Sequence, residues 1–308
     1  MLRSFAEVAD VLRADTTKRT LALAGADDDI ALEAVARARR EGVADAILVG
    51  DEEKVTAKLE ALGEDPSAWR IVNASTEMQS ARYAVRLVVN GEADLPMKGL
   101  VQTATFLMAV QYGGLLDADG FVNEFTVMDF ADQERLIVYG DCAVNIKPTV
   151  EERVKISQNL IDVARVLGAS PVRVAALSAV EKPDPTISSS VEARELAEMD
   201  CWGDDVIYEG PLALDNVLDA EAAAHKGIKS EVAGKADVIV VPEMIVGNVL
   251  HKSAHFFGHY AFASGLLGAK APVVMNSRTD DVDAKYCSIL MGCLLASARA
   301  NASESEAN

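Results

Sequence analysis

The stretch APVVMNSRTDDVDAK, residues 271–285, holds the densest chemistry in the chain. The apolar run Val273 to Met275 stops at Asn276-Ser277-Arg278, and the carboxylates Asp280, Asp281 and Asp283 follow. A strand that ends this way and then enters a helix brings three kinds of anion donor together. Ser277 offers a hydroxyl, Arg278 a bidentate fork, and the helix its free N–H groups. That is equipment for a phosphate or an oxyanion. In the alternative reading Arg278 pairs with Asp280 or Asp281 in a surface loop, an interaction of little energetic weight. Spacing alone leaves both open. Three other apolar runs end in the same manner. PMKGL (96–100) brings Lys98, with Gly99 allowing close backbone approach. YGDCAVN (139–145) brings Asp141, Cys142 and Asn145, and VPEMIVGNVLHK (241–252) brings Glu243, Gly247, Asn248 and Lys252. Singly these are a solvated lysine, a core thiol and a helix cap. Together they are the polar groups that hold anions at the carboxyl ends of parallel strands.

The elements that must position these residues read as alternating strands and helices. Candidate strands are 20–26, 45–50, 70–75, 93–99, 135–141, 172–179, 236–243 and 271–277. Candidate helices are 28–41, 76–90, 102–112, 150–167, 188–200, 245–267 and 282–299. Continuous rather than alternating apolar strands predict an α/β fold with parallel or mixed sheets covered by helices. Asp27 to Asp29 put carboxylates at a helix start, and Thr149 with Glu152 has capping-box spacing. Gly168 follows that helix as a C-terminal glycine should. The stretch 120–136 reads as irregular, with a boundary near residue 132. The expected division is a discontinuous first domain, 1–132 with 268–308, and a second domain, 133–267, with a cleft between them.

Composition narrows the partners. The chain has 308 residues, 48 acidic against 29 basic, a net charge of -19. Such a surface repels nucleic acid and anionic membranes, so an anionic ligand needs a locally positive pocket. The cysteines, Cys142, Cys201, Cys287 and Cys293, form no C-x-x-C pair and fit a reducing cytoplasm. The N-terminus has charges throughout and no apolar signal core. No window is long and apolar enough for a membrane span. G-x-G-x-x-G, a P-loop and G-x-S-x-G are absent, which sets aside nicotinamide, P-loop and serine-hydrolase chemistry. His251, His255 and His259 lie four apart and share one face of the expected helix. No carboxylate or cysteine stands near them, so a stripe at a lobe interface is favoured over a metal site. His225 stands alone.

Five segments in order resemble the phosphate acetyl/butyryltransferase family: PMKGLVQTATFLMAV, GDCAVNIKPTVEERVKI, EKPDPTISSSVEARELAEM, VPEMIVGNVLHKSAHFFG and APVVMNSRTDDVDAK. The resemblance spans about Leu95 to Ala296. MKG, NSRTDD and EKPDPTISSSVEA look like the butyryl branch, whereas GDCAVN is closer to the acetyl branch. The resemblance implies a two-lobed fold similar to isocitrate and isopropylmalate dehydrogenases, a cytoplasmic homodimer or higher homo-oligomer, and no cofactor or metal. It implies transfer of a short-chain acyl group, butyryl or similar, between coenzyme A and inorganic phosphate. The alternatives are a phosphate acetyltransferase, a carrier-protein acyltransferase, or a catalytically weakened metabolite-binding relative. Ser277 and Arg278 take the catalytic roles that the resemblance implies. Lys98, Gly99, Asp141, Cys142, Asn145, Gly247, Asn248, Lys252 and Asp283 take substrate-binding ones, with Cys142 near the coenzyme and not an acylated nucleophile. The chain departs from relatives in three places. Ala284 stands where the acetyl branch has a carboxylate. Gln102-Thr103 replaces a frequent His-Thr. Met108 replaces a basic residue.

Overall fold

Short apolar runs become strands here because helices cover both sides of them; Leu21 to Ala24, for example, are all fully buried whichever way their side chains point. A computed structural model describes residues 1–116, 120–130 and 134–306, excepting the side chains of 304–306. In chain order the first elements are α1 (Phe5–Ala14), β1 (Arg19–Ala24), α2 (Asp29–Arg40), β2 (Ala44–Gly50), α3 (Glu52–Ala61), β3 (Arg70–Asn73), α4 (Glu77–Val89), β4 (Leu95–Lys98) and α5 (Thr103–Tyr112). Then come β5 (Asn123–Phe130), β6 (Arg135–Gly140), α6 (Val150–Val166), β7 (Val172–Leu177), α7 (Ser188–Ala197), β8 (Val206–Leu212), α8 (Leu214–Leu218), α9 (Ala220–His225), β9 (Val238–Val240) and α10 (Met244–Gly258). The last are β10 (Phe262–Leu267), β11 (Val273–Val274) and α11 (Val282–Glu306).

The described residues fall into two compact units. Unit I comprises Phe5–Val122 and Ala261–Asn308, and unit II comprises Met1–Ser4 and Asn123–Tyr260. The boundary expected near residue 132 lies outside the described residues. In unit I the strand order is β3-β2-β1-β4-β11-β10. All neighbours run parallel except the β10–β11 pair. The register sets Val274 of β11 beside Met97 of β4, so the Ser277-Arg278 loop and Lys98 emerge from adjacent strands at their carboxyl ends. In unit II the order is β5-β6-β9-β7-β8, with only β5–β6 antiparallel.

Helix starts follow local chemistry. Asp28 accepts from the backbone N–H groups of Ile30 and Ala31 at the head of α2. Thr149 and Glu152 form both halves of the capping box on α6.

Two sequence expectations are corrected. The helix expected over 245–267 ends at Gly258. There His259 adopts a left-handed conformation, φ 53°, and its N–H closes on the helix's last carbonyls. Residues 262–267 form β10, buried along its whole length. A continuous apolar run is compatible with helix or strand, and a left-handed break decided between them. His259 therefore leaves the helical face that His251 and His255 share. Second, part of the stretch expected to be irregular, 120–136, is the regular strand β5, paired antiparallel to β6 from Thr126↔Tyr139 to Phe130↔Arg135.

Candidate active site

In unit I the loops after β1 and β4 interlock. Gly99 N–H donates to the Ala24 carbonyl at 2.7 Å and Leu100 N–H to that of Gly25 at 3.0 Å. A Cβ on Gly99 would stand 2.6 Å from the Gly25 oxygen, so only glycine fits. Ser80 clamps the same turn, accepting from Gly25 N–H and donating to the Val49 carbonyl, both at 2.7 Å. Lys98 is fixed by this arrangement and is fully buried.

Lys285 on α11 is also buried, at 1 % exposure. Each of these ammonium groups has a single, long protein partner. Lys98 Nζ reaches the Val101 carbonyl and Lys285 Nζ the Ser277 carbonyl, both at 3.4 Å. Among the described residues neither meets a carboxylate within salt-bridge distance. Arg278, exposed, holds neither a hydrogen bond nor an ion pair among them. Burial pushes the Lys98 amine down to about 8; Lys285 and then Arg278 add to the fall, while Asp28 and Asp280 oppose it. Holding that charge costs the fold roughly 3 kcal/mol.

The carboxylates of the loop are used within it. Asp280 is buried and accepts from Ser277 N–H at 2.8 Å. Asp281 accepts from Ala284 N–H at 2.8 Å, capping α11. Asp283 faces outward and pairs with Arg37 at 2.7 Å. Asn276, buried, donates to Ser288 at 2.9 Å, and Ser288 in turn receives Ser264 N–H. The aspartates thus shape the loop and leave Arg278 and the Ser277 hydroxyl, which among the described residues meets only Thr279, facing outward. This concentration of unpaired positive charge can bind a compact anion.

Unit II presents the reverse. Asp141, at 2 % exposure, receives Ala143 and Val144 N–H on one oxygen, each at 2.8 Å. Its other oxygen takes Asn145 N–H, Asn145 Nδ2 and Glu124 N–H. Glu124 accepts from Thr126 Oγ1 at 2.6 Å and Cys142 N–H at 2.9 Å. Burial, then Asp141, raises its carboxyl to about 8. Burial raises the Cys142 thiol well above its ordinary value, with Glu124 and Asp141 adding to the effect. A thiol held neutral is no nucleophile. Gly247 lets α10 approach this turn; a Cβ there would lie 2.8 Å from the Asp141 carbonyl and 2.9 Å from the Cys142 sulfur. Asn248 Nδ2 reaches the Cys142 carbonyl at 3.4 Å. Lys252, half-buried, lies near His251, whose imidazole is lowered to about 4 by burial first and Lys252 next.

The family described as Phosphate acetyl/butaryl transferase matches residues 6–88 and 72–293. The chain belongs to this family. It is similar to the phosphate butyryltransferase of Clostridium acetobutylicum, 37% identical over 299 residues, covering 96% of this chain and 99% of the relative. It is also similar to the phosphate acetyltransferase of Thermotoga maritima, 36% identical over 283 residues, covering 90% and 95%. The structure resembles that of a branched-chain phosphotransacylase from Enterococcus faecalis V583, with TM-score 0.81 and 30% identity, covering 90% of this chain and 99% of that one. The fold alone is shared with a 4-hydroxythreonine-4-phosphate dehydrogenase from Klebsiella pneumoniae, with TM-score 0.53 and 12% identity, covering 91% and 100%. The α/β class expected from the sequence, similar to isopropylmalate dehydrogenase, is the class of this phosphate acyltransferase.

Of the expected site residues, unit I brings Lys98, Gly99, Ser277 and Arg278 to neighbouring strand ends and sends Asp283 outward to Arg37. Unit II gathers Asp141, Cys142, Asn145, Gly247 and Asn248 around one turn, with Lys252 on the next turn of α10. Sequence reasoning missed Lys285 and Glu124. Lys285 had a signal: from Ala284 to Ala298 it is the only charged residue. A helix apolar all round is buried, and so is its lone lysine.

Proposed function

We propose that this phosphate acyltransferase moves a short-chain acyl group, butyryl or a similar chain, between coenzyme A and inorganic phosphate. The observation that carries the reading is the pair of buried lysines, Lys98 and Lys285, that among the described residues have no carboxylate within salt-bridge distance and stand with an Arg278 that has no ion pair. A fold that bears such a cost unrelieved is poised for an anion that relieves it. The butyryl preference rests on the likeness to phosphate butyryltransferase and on the MKG, NSRTDD and EKPDPTISSSVEA segments.

In this mechanism Arg278 holds phosphate by its fork while Lys98 and Lys285 supply charge. A phosphate oxygen attacks the thioester carbonyl, and the new C–O bond forms as the carbonyl becomes an oxyanion. Ser277 donates to that oxyanion. Collapse breaks the C–S bond and releases the coenzyme as thiolate, which takes its proton from solvent. No carboxylate base is required of position 284, because a free thiol with pKa about 8.5 makes its anion a good leaving group. Ala284 is buried, and Asp283 is engaged by Arg37. Asn145, Asn248 and Lys252 are assigned to the coenzyme. Asp141, Cys142 and Gly247 act there by shaping the turn that carries them.

Among the described residues no helix is long and apolar enough to cross a membrane. The four free cysteines support a cytoplasmic setting. Ile245, Val249, Phe256 and Phe257, exposed on α10, support self-association as a homodimer or higher homo-oligomer.

The test is phosphate-dependent thiol release from acetyl-, propionyl-, butyryl- and branched acyl-CoA. The expected result is turnover with the highest kcat/KM for four-carbon or branched donors. Highest kcat/KM for acetyl-CoA would make the protein a phosphate acetyltransferase. Absence of release from every donor would overturn the reading.

A further inference from the structure

Three arginines of the sixteen in the chain have guanidinium groups with neither a hydrogen bond nor an ion pair among the described residues: Arg278, Arg82 and Arg86. The first belongs to the strand-end cluster. The other two stand four residues apart on α4, so they share one face about 6 Å apart along the axis. Both are exposed. Like charges so placed repel each other, and among the described residues no carboxylate lies within ion-pair distance of either, Glu92 acting on Arg86 only from farther off.

They line a cavity of about 640 Å³ formed by α4 and α5. Its other walls include Gln79, Tyr83, Met108 and Tyr112. Arg86 stacks over the Tyr83 ring at 4.8 Å, and Gln79 Nε2 fixes the Tyr83 hydroxyl at 2.9 Å. Tyr112 is 80% exposed, a large aromatic surface without cover. Two guanidinium forks beside two aromatic rings and a thioether suit a ligand with phosphates and a flat heterocycle. Nucleotides have that chemistry.

The cavity's place in unit I says which nucleotide. Helix α5 starts five residues after Lys98, and at 1.5 Å per residue Met108 and Tyr112 lie about 8 and 14 Å along it. A helix's length therefore separates the phosphate-binding strand ends from this cavity. That separation suits a carrier that bears its reactive group on a long arm and its nucleotide at the far end. We propose that Arg82 and Arg86 bind the phosphate-bearing nucleotide end of coenzyme A, with Tyr83 and Tyr112 flanking the base. The inference rests on the acyltransferase reading and adds to it the residues that recognise the carrier.

The test compares wild type with the Arg82→Gln/Arg86→Gln double variant on two donors, butyryl-CoA and butyryl-pantetheine, which lacks the nucleotide. Both arginines are exposed, so a melting curve like that of wild type is expected. The variant's KM for butyryl-CoA should rise roughly ten- to a hundredfold, the weight of charge-assisted hydrogen bonds. Its kcat and its KM for phosphate should stay at wild-type values, and the two proteins should be indistinguishable on butyryl-pantetheine. An unchanged KM for butyryl-CoA, or an equal loss on both donors, overturns the proposal. Adenosine 3′,5′-bisphosphate should compete with butyryl-CoA in wild type; binding to the arginines without competition would make this an effector site and also overturn it. If wild type turns over neither donor, the acyltransferase reading fails instead. Calorimetry of coenzyme A with both proteins then decides the assignment, and equal affinities refute it.

Discussion

Two turns at strand ends, one in each unit, bury charge in opposite ways. After β6 in unit II, Asp141 is sealed from solvent and receives five hydrogen bonds, four of them from backbone N–H groups. After β4 in unit I, Lys98 is sealed from solvent and has one carbonyl 3.4 Å away. Both are ionisable residues at the end of an apolar strand, and the sequence presents them alike. The difference lies in satisfaction. A buried charge that has all its partners is part of the scaffold, because the bonds that hold it also hold the loop. A buried charge with so little to satisfy it works against folding, and that cost is what the proposed anion would relieve.

That contrast is sharpest when each turn is broken. Arg278→Ala removes the fork from the unpaired cluster without removing any bond that holds the fold. It should lower kcat/KM for phosphate-dependent thiol release by about a thousandfold, the upper range for loss of one transition-state donor. Its melting temperature should match wild type. Near-normal turnover would take Arg278 out of the reaction. Asp141→Ala makes the opposite break, orphaning donors on Ala143, Val144, Asn145 and Glu124. It should cost about 3 kcal/mol or more of stability, measured by denaturant unfolding. A loss below about 0.5 kcal/mol would show that this turn is not held by its carboxylate.

How much of this was readable beforehand differs between the same two regions. Ser277, Arg278 and Lys98 could be placed because strand-helix alternation fixes which end of a parallel strand faces a ligand. The burial of Lys98 and the absence of a carboxylate beside it and Arg278 among the described residues could not, since those depend on how Asp280 and Asp281 are used inside the loop. Asp141 and Cys142 read as ligand residues by the same rule. Glu124, which donates its N–H to Asp141 and accepts that of Cys142, lies on a strand that the sequence presents as irregular because Asn123, Glu124, Thr126 and Asp129 interrupt its apolar pattern. The helix over 245–267 failed where one histidine took a left-handed conformation that glycine or asparagine usually signals. Lys285 was missed because a lysine in an apolar helix is easily read as surface, although its neighbours left no exposed face.

The central claim is that the unpaired cations of unit I hold inorganic phosphate, and it is tested most directly by phosphate titration calorimetry between pH 7.5 and 9.5. Burial with Lys285 and Arg278 lowers the Lys98 amine to about 8, so its charge is lost across this range while phosphate, mostly a dianion at the start, only becomes more fully so. If only the charged form binds, affinity should fall about tenfold from pH 7.5 to 9. Lys98→Met should bind weakly with no such step. It should also be at least as stable as wild type at pH 7, because the cost of holding the charged amine, full below about 8, is gone. A wild-type affinity that does not change with pH, or a Lys98→Met variant that binds phosphate like wild type, would contradict the account.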